Sequence, residues 1–228
     1  MRYFLALALC CLGLIASAQD WEDRQLFNEA ETTLRIISST DSDLFAPLIE
    51  DFVSENPDIA VEYLVTNTAD IDRRVRETPD AFDIVVSSAM DLQLKLANDG
   101  YALALPSVVL PPWATWRNSL FAFTSEPAAI VINKDAFGAL EVPRSRQELI
   151  EILRAEPDRF EGKLGTYDVR RSGLGYLFAT QDARASETYW RLMEVMGRVN
   201  VNLYCCSGEM IDDLSSGKIA VAYNVLGS

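Results

Sequence analysis

Histidine is absent from all 228 residues. That excludes histidine-ligated zinc and copper sites and serine triads built on an imidazole base. Cysteine is scarce and badly spaced for cross-linking. The four cysteines fall in two adjacent pairs, Cys10–Cys11 and Cys205–Cys206. No spaced disulfide framework follows from such a pattern. Basic residues are also few, 20 against 34 acids, for a net charge of −14. A chain so acidic is a poor general nucleic-acid binder, although one local cationic pocket is compatible with it.

What is present begins with an export signal. Residues 1–18 combine Arg2, an apolar stretch from Phe4 to Ile15, and small residues at Ala16 and Ala18 suited to cleavage before Gln19. The apolar run is short for a membrane span and is followed by acids rather than bases. The expected product is soluble and periplasmic. The flanks of Cys10 and Cys11 do not suit a lipoprotein, and their removal leaves Cys205 and Cys206 as buried thiols or a vicinal bridge.

Beyond the signal, residues 19–31 are polar and acidic and read as a disordered leader or weak helix. Periodic structure starts at Leu34–Ile37, a buried strand. A helix follows over residues 41–57, with Leu44, Phe45, Leu48, Ile49, Phe52 and Val53 on one apolar face. Thr40 or Asp41 caps it, Asn56 and Pro57 stop it, and Pro47 lies near its first turn. The same alternation recurs as IAVEYLV, TADIDRRVRET, FDIVV and SAMDLQLKLANDG. Strands joined by helix-length connections predict parallel pairing and right-handed crossovers.

After Tyr101 the pattern changes. Pro111 and Pro112 punctuate the chain, and SLFAF and AAIVIN are strand candidates separated by TSEP. They predict a crossing into a second lobe, where helices are expected over residues 145–157 and 186–198, and strands at KLGTYD and IAVAYNV. The expected organisation is a signal at 1–18, a first α/β lobe at 32–123, and a second lobe at 124–228 that includes the crossover.

Ligands of open parallel sheets lie beyond the carboxyl ends of the strands. The joins there are SSTDSD at 38–43, VTNTAD at 65–70 and SSAMD at 87–91. Their hydroxyls and the free amides of the following helices suit an oxygen-rich or anionic ligand, although such residues also cap helices with no ligand present. Ser38, Ser39, Thr40, Ser87 and Ser88 are therefore candidates. Arg170 and Arg171, before Ser172 and Gly173, offer a guanidinium fork at a helix start. Tyr204, Ser207, Tyr223 and Asn224 are polar groups at strand ends or in loops. For these residues, surface ion pairs and core aromatics are equally open readings. No metal site, cofactor or catalytic set emerges, so no enzyme is expected.

Taken together, the leader, LRIISSTDSDLFAPLIEDFVSENPDIAVEY, FDIVVSSAMDLQLKLANDGYA, AAIVINKDAF and SGEMIDDLSSGKIAVAYNVLGS resemble the periplasmic solute-binding components of ABC importers. The relevant group includes ferric-ion, phosphonate and phosphoglycerate transport regulatory binders. The resemblance covers residues 32–228. It implies an α/β, two-lobed periplasmic-binding-protein fold of type II, with the serine and threonine loops on one side of a cleft. Arg170 to Gly173, Tyr204 and Tyr223–Asn224 would approach from the other side. It further implies a monomer that binds a small anionic solute, phosphorylated or carboxylated, and meets an inner-membrane permease.

Three alternatives stay open: a ligand-sensing partner of a sensor-kinase ectodomain, a ferric-ion binder, and an exported phosphoester hydrolase. Ferric relatives use adjacent tyrosines, whereas Tyr204 stands beside Cys205, so iron would need Tyr204, Tyr223 and carboxylates. Members of the family continue past the equivalent of AYNVLGS. A form ending at Ser228 is thus expected to lack the C-terminal return to the first lobe, and to be less stable and to bind less well than a longer one.

Overall fold

A computed structural model describes residues 21–226. The first sheet has the order β1-β3-β2-β4, built from β1 (Asp23–Phe27), β2 (Thr32–Ser38), β3 (Ile59–Val65) and β4 (Ile84–Val86). The strands β2, β3 and β4 are mutually parallel, with Leu34 opposite Val61 and Ile37 opposite Val85. Three helices accompany them: α1 (Ser42–Glu55), α2 (Thr68–Glu77) and α3 (Met90–Asn98).

Part of the stretch read as a leader or weak helix is in fact the edge strand β1. It runs antiparallel to β3, with Leu26 opposite Glu62 and Phe27 opposite Val61. Alternation of half-buried and exposed residues along DRQLF is what a one-sided edge strand requires. The acidic composition masked that alternation. Gln19 and Asp20 of that stretch, and the signal segment, lie outside the described residues.

The face expected on α1 is only half used. Ile49 is buried and Phe45 and Val53 pack against the β2–β3 core, but Leu44 and Leu48 remain 55% and 65% exposed. A stripe this wide cannot turn wholly toward a single sheet.

A two-stranded ribbon of β5 (Thr115–Trp116) and β6 (Leu120–Phe121) precedes the second sheet. That sheet has the order β7-β10-β8-β9. It comprises β7 (Ala128–Ile132), β8 (Leu164–Tyr167), β9 (Asn202–Tyr204) and β10 (Val221–Leu226). Around it stand α4 (Lys134–Phe137), α5 (Arg146–Ala155), α6 (Pro157–Phe160), α7 (Gly173–Ala185), α8 (Glu187–Arg198) and α9 (Ser207–Ser215). The largest core packs Leu149, Ile150 and Leu153 of α5 and Leu192, Val195 and Met196 of α8 with Leu164 and Val221. Among the described residues no helix is long and apolar enough to cross a membrane.

Candidate functional site

Because β2, β3 and β4 are parallel, their carboxyl ends open on the same side, and so do the helices that follow them. The parallel pair β8 and β9 does the same in the second lobe. The starts of α1, α2, α7 and α9, with the Ser87–Ser88 loop that precedes α3, consequently border one cleft, about 280 Å3 in volume. Its first-lobe wall includes Ser39, Thr40, Asp41, Thr66, Asn67, Thr68, Ser87 and Ser88. Tyr167, Ser172, Cys205, Cys206 and Ser207 face it from the second lobe.

The helix starts are not equivalent. Asn67 caps α2 by accepting from the Asp70 amide, and Ser172 caps α7 by accepting from the Gly175 amide at 3.0 Å. In contrast, α1, α3 and α9 have no side-chain cap hydrogen bond. First-turn amides without an intrahelical acceptor are ready donors, and each helix start carries partial positive charge. Two such starts, α1 and α9, one from each lobe, border the same space, whereas at α3 only the preceding Ser87 and Ser88 do.

The hydroxyl loops are braced by one another. Ser38 is fully buried behind the wall, where its hydroxyl accepts from Tyr63 at 2.7 Å and from the Thr40 amide at 2.9 Å. Burial pushes the Tyr63 phenol up to about 12, so it remains a donor. The Ser39 hydroxyl accepts from the Ser88 amide at 3.3 Å, tying the loop after β2 to the loop after β4. Across the cleft, the Tyr167 hydroxyl and Ser207 Oγ are 2.7 Å apart.

Charge in the cleft has one sign. Glu22, Asp41 and Glu126 line it, whereas no lysine or arginine among the described residues does. Burial, reinforced by Asp41 and Asp70, raises the Glu22 carboxyl above its ordinary range. Phe45 and Phe123 form an edge-on pair, with ring centres 5.9 Å apart, at the apolar end of the cleft. No group of three or more histidine, cysteine, aspartate or glutamate side chains among the described residues is placed to hold a metal ion.

Of the residues singled out from sequence, Ser39, Thr40, Ser87, Ser88, Ser172 and Ser207 meet at the cleft. The others do not. Arg170 forks onto Asp168, with Nε and Nη2 each 2.8 Å from a carboxylate oxygen, and its side chain is 76% exposed. That fork holds the Asp168 carboxyl down at about 2. With Arg171, Arg170 borders a separate shallow depression shared with Asp91, Leu92 and Tyr176. A tight turn, in which the Arg171 and Ser172 amides both donate to the Asp168 carbonyl, brings Ser172 to the cleft while Arg170 remains on its sequence neighbour Asp168.

Gly173 is a lobe-to-lobe contact: an added Cβ would lie 2.8 Å from Leu92 Cδ1 and 3.2 Å from Thr68 Oγ1. Tyr204 is buried and donates to Asp213 at 2.7 Å, and Tyr223 donates to Asp182 at 2.8 Å. Asn224, in the left-handed region at φ 63° beside a register shift in β10, also donates to Asp182. The tyrosine pair expected for iron is therefore engaged by structural carboxylates away from the cleft.

Sequence reasoning named the 65–70 join without choosing Thr66, Asn67 or Thr68 as candidates, and passed over Glu22, Phe45, Phe123, Glu126 and Tyr167 as cleft residues. The join after β3 carried the same hydroxyl signal as its neighbours and was legible. Glu22 was hidden by the leader reading, and Phe123, Glu126 and Tyr167 reach the cleft only through tertiary packing.

No family model matches the chain, and no curated protein matches it. Among solved structures, the substrate-binding protein of an ABC transporter from Agrobacterium tumefaciens superposes with a TM-score of 0.85. It is 37% identical over 90% of this chain. In sequence and in fold this chain is similar to that substrate-binding protein. It spans 64% of the length of that Agrobacterium substrate-binding protein. Iron-bound HitA from Pseudomonas aeruginosa shares the fold at a TM-score of 0.64 and 15% identity, covering 84% of this chain and 62% of its own. A ferric binding protein from Campylobacter jejuni does so at 0.61 and 16%, with 84% and 61% covered. The two-lobed periplasmic-binding fold of these proteins is thus the architecture of this chain.

Proposed function

We propose that the cleft captures a small, oxygen-rich solute carrying an oxyanion, carboxylate or phosphoryl, and that the protein delivers it in the periplasm to an inner-membrane ABC permease. The observation that carries this reading is the convergence of two uncapped helix starts, α1 and α9, one from each lobe, on one hydroxyl-lined cleft. Amide donors at helix starts hold oxyanions without a basic side chain. Asp41 and Glu22 stand beside the starts of α1 and α9, and Glu126 also lines the cleft, so the solute would have to bring hydroxyl or ammonium donors as well as its oxyanion. A multiply charged anion suits the cleft less well than one with a single anionic end. Reaction chemistry is not required, and closure of two lobes on the solute supplies the signal for delivery.

Ferric ion is the second reading, favoured by the hard oxygen donors that line the cleft, the Tyr167 hydroxyl and the Glu22, Asp41 and Glu126 carboxylates, which would have to be drawn together around the ion. Thermal melts of refolded, ligand-free protein would separate the two. The panel would contain phosphoglycerates, phosphonates, dicarboxylates, amino acids, phosphate and ferric citrate. Ligand at a hundred times its Kd stabilises by about 2.7 kcal/mol. A selective shift with one organic oxyanion supports the proposal, whereas a shift with ferric citrate and a new tyrosinate-to-metal absorption band would replace it with iron capture.

A further inference from the structure

The adjacent cysteines are not used by the reading above, yet both line the cleft. They sit where β9 hands over to α9, Cys206 being the residue that precedes the helix. Both are half-buried, and their sulfurs are 2.6 Å apart. That is closer than two thiols normally approach and near enough for a bond to form by a small shift. From the other lobe, Glu22 Oε1 is 3.9 Å from Cys206 Sγ, within reach of a sulfhydryl hydrogen bond.

We infer that Cys205 and Cys206 form a reversible redox site in the cleft wall, closing to a vicinal disulfide that resets the start of α9.

A small-molecule disulfide, RSSR, serves as oxidant. The Cys205 thiolate attacks one of its sulfurs, breaking the S–S bond and releasing RS⁻, which takes up the proton that Cys205 gave to solvent. Cys206, also deprotonated, then attacks Cys205 Sγ in the mixed disulfide, forming the intramolecular S–S bond and expelling the second RS⁻, which is protonated in turn. Two electrons and two protons pass from the cysteines to RSSR, yielding two RSH. The order follows from the surroundings of Cys206, whose thiol is pushed up by burial, Cys205, Glu22 and Glu209, so that it is the poorer first nucleophile.

Adjacency makes the bond reversible. Consecutive Cα atoms across a trans peptide are about 3.8 Å apart, shorter than the roughly 4.4–6.8 Å that disulfides prefer, and strained bridges are the readily reduced ones. Two consequences reach the cleft. Closure removes the sulfhydryl donor facing Glu22, and it stiffens the turn from which the uncapped amides of α9 project.

The test needs no ligand, so its outcome stands apart from that of the binding panel. The full chain is equilibrated with 2-hydroxyethyl disulfide and 2-mercaptoethanol over a range of ratios, quenched with iodoacetamide and weighed intact. The expected result is a monomer that loses the mass of two hydrogens and both alkylation sites together, and regains them on reduction. Hydrogen exchange at amides 207–210 should slow in the oxidised form, with no such change in Cys205→Ser/Cys206→Ser. Persistent alkylation of both cysteines, a stable mixed disulfide, or an intermolecular dimer would overturn the redox site. Unchanged exchange despite ring closure would overturn its coupling to α9.

Discussion

The Leu174 amide donates to the Thr68 hydroxyl at 3.2 Å, joining the first turn of α7 in the second lobe to the start of α2 in the first. One residue earlier, Gly173 rests against Leu92 and Ala89. The chain is thus closed beside the cleft by a backbone donor and by the lack of a side chain.

Gly173→Val should hold the lobes apart. The added atoms would enter space already filled by Leu92 Cδ1 and Thr68 Oγ1. Overpacking of this kind costs about 1–3 kcal/mol, and the cost falls on the closed arrangement because the contacts lie on the opposite lobe. X-ray scattering should show a larger radius of gyration, with far-ultraviolet circular dichroism unchanged. An unaltered scattering curve would show that the contact does not limit closure.

Glu22→Gln should stabilise the protein at neutral pH. The native carboxyl is raised in the folded state by burial and by Asp41 and Asp70. An acid raised by folding causes no loss below its unfolded value, and stability falls as pH rises through the folded one. The variant escapes that loss. Glu22 is exposed as a whole although its carboxyl is partly shielded by the cleft wall, so solvent screening keeps the gain under about 1 kcal/mol. Paired melts at about pH 7 and below the ordinary glutamate range of about 4.3 should show a gain that disappears in acid.

Arg170→Ala should act on acid stability and leave the cleft alone. The fork holds Asp168 at about 2, a contribution present above the ordinary aspartate range and lost as pH falls through the folded value. The variant should therefore melt lower than native protein near neutrality and match it at the acid extreme. Affinity for the solute selected by the panel should not change, since Arg170 is not among the cleft residues.

Tyr204→Phe tests the half-buried network around Asp213. It removes the donor to Asp213, which keeps its ion pair with Lys218. A loss of about 1 kcal/mol in urea unfolding is expected. Ferric binding, if the panel shows any, should survive the change, and its loss would return Tyr204 to the site.

The local parts of this protein were legible because their causes are local. Apolar period and capping residues marked β2, α1, β3, α2 and α3, and strand alternation with helices implied the parallel pairing that gathers the serine loops. Two short-range rules then misled. Acidic composition concealed β1, whose strand character comes from pairing with β3, and Arg170 looked available because its partner, Asp168, is captured only when the turn forms.

The absence of histidine, the acidic balance and the order of strands and helices already confined the molecule to an α/β protein with oxygen-rich joins, and the family resemblance added the expectation of a two-lobed binder. Which side chains share the cleft was decided in three dimensions. Tyr204 and Tyr223 differ from Tyr167 in no property that composition records, yet packing turns the first two onto Asp213 and Asp182 and leaves the third facing Ser207 at the cleft. Periodicity specifies the face of its own element that is buried, whereas the partner that buries it belongs to residues far away in the chain.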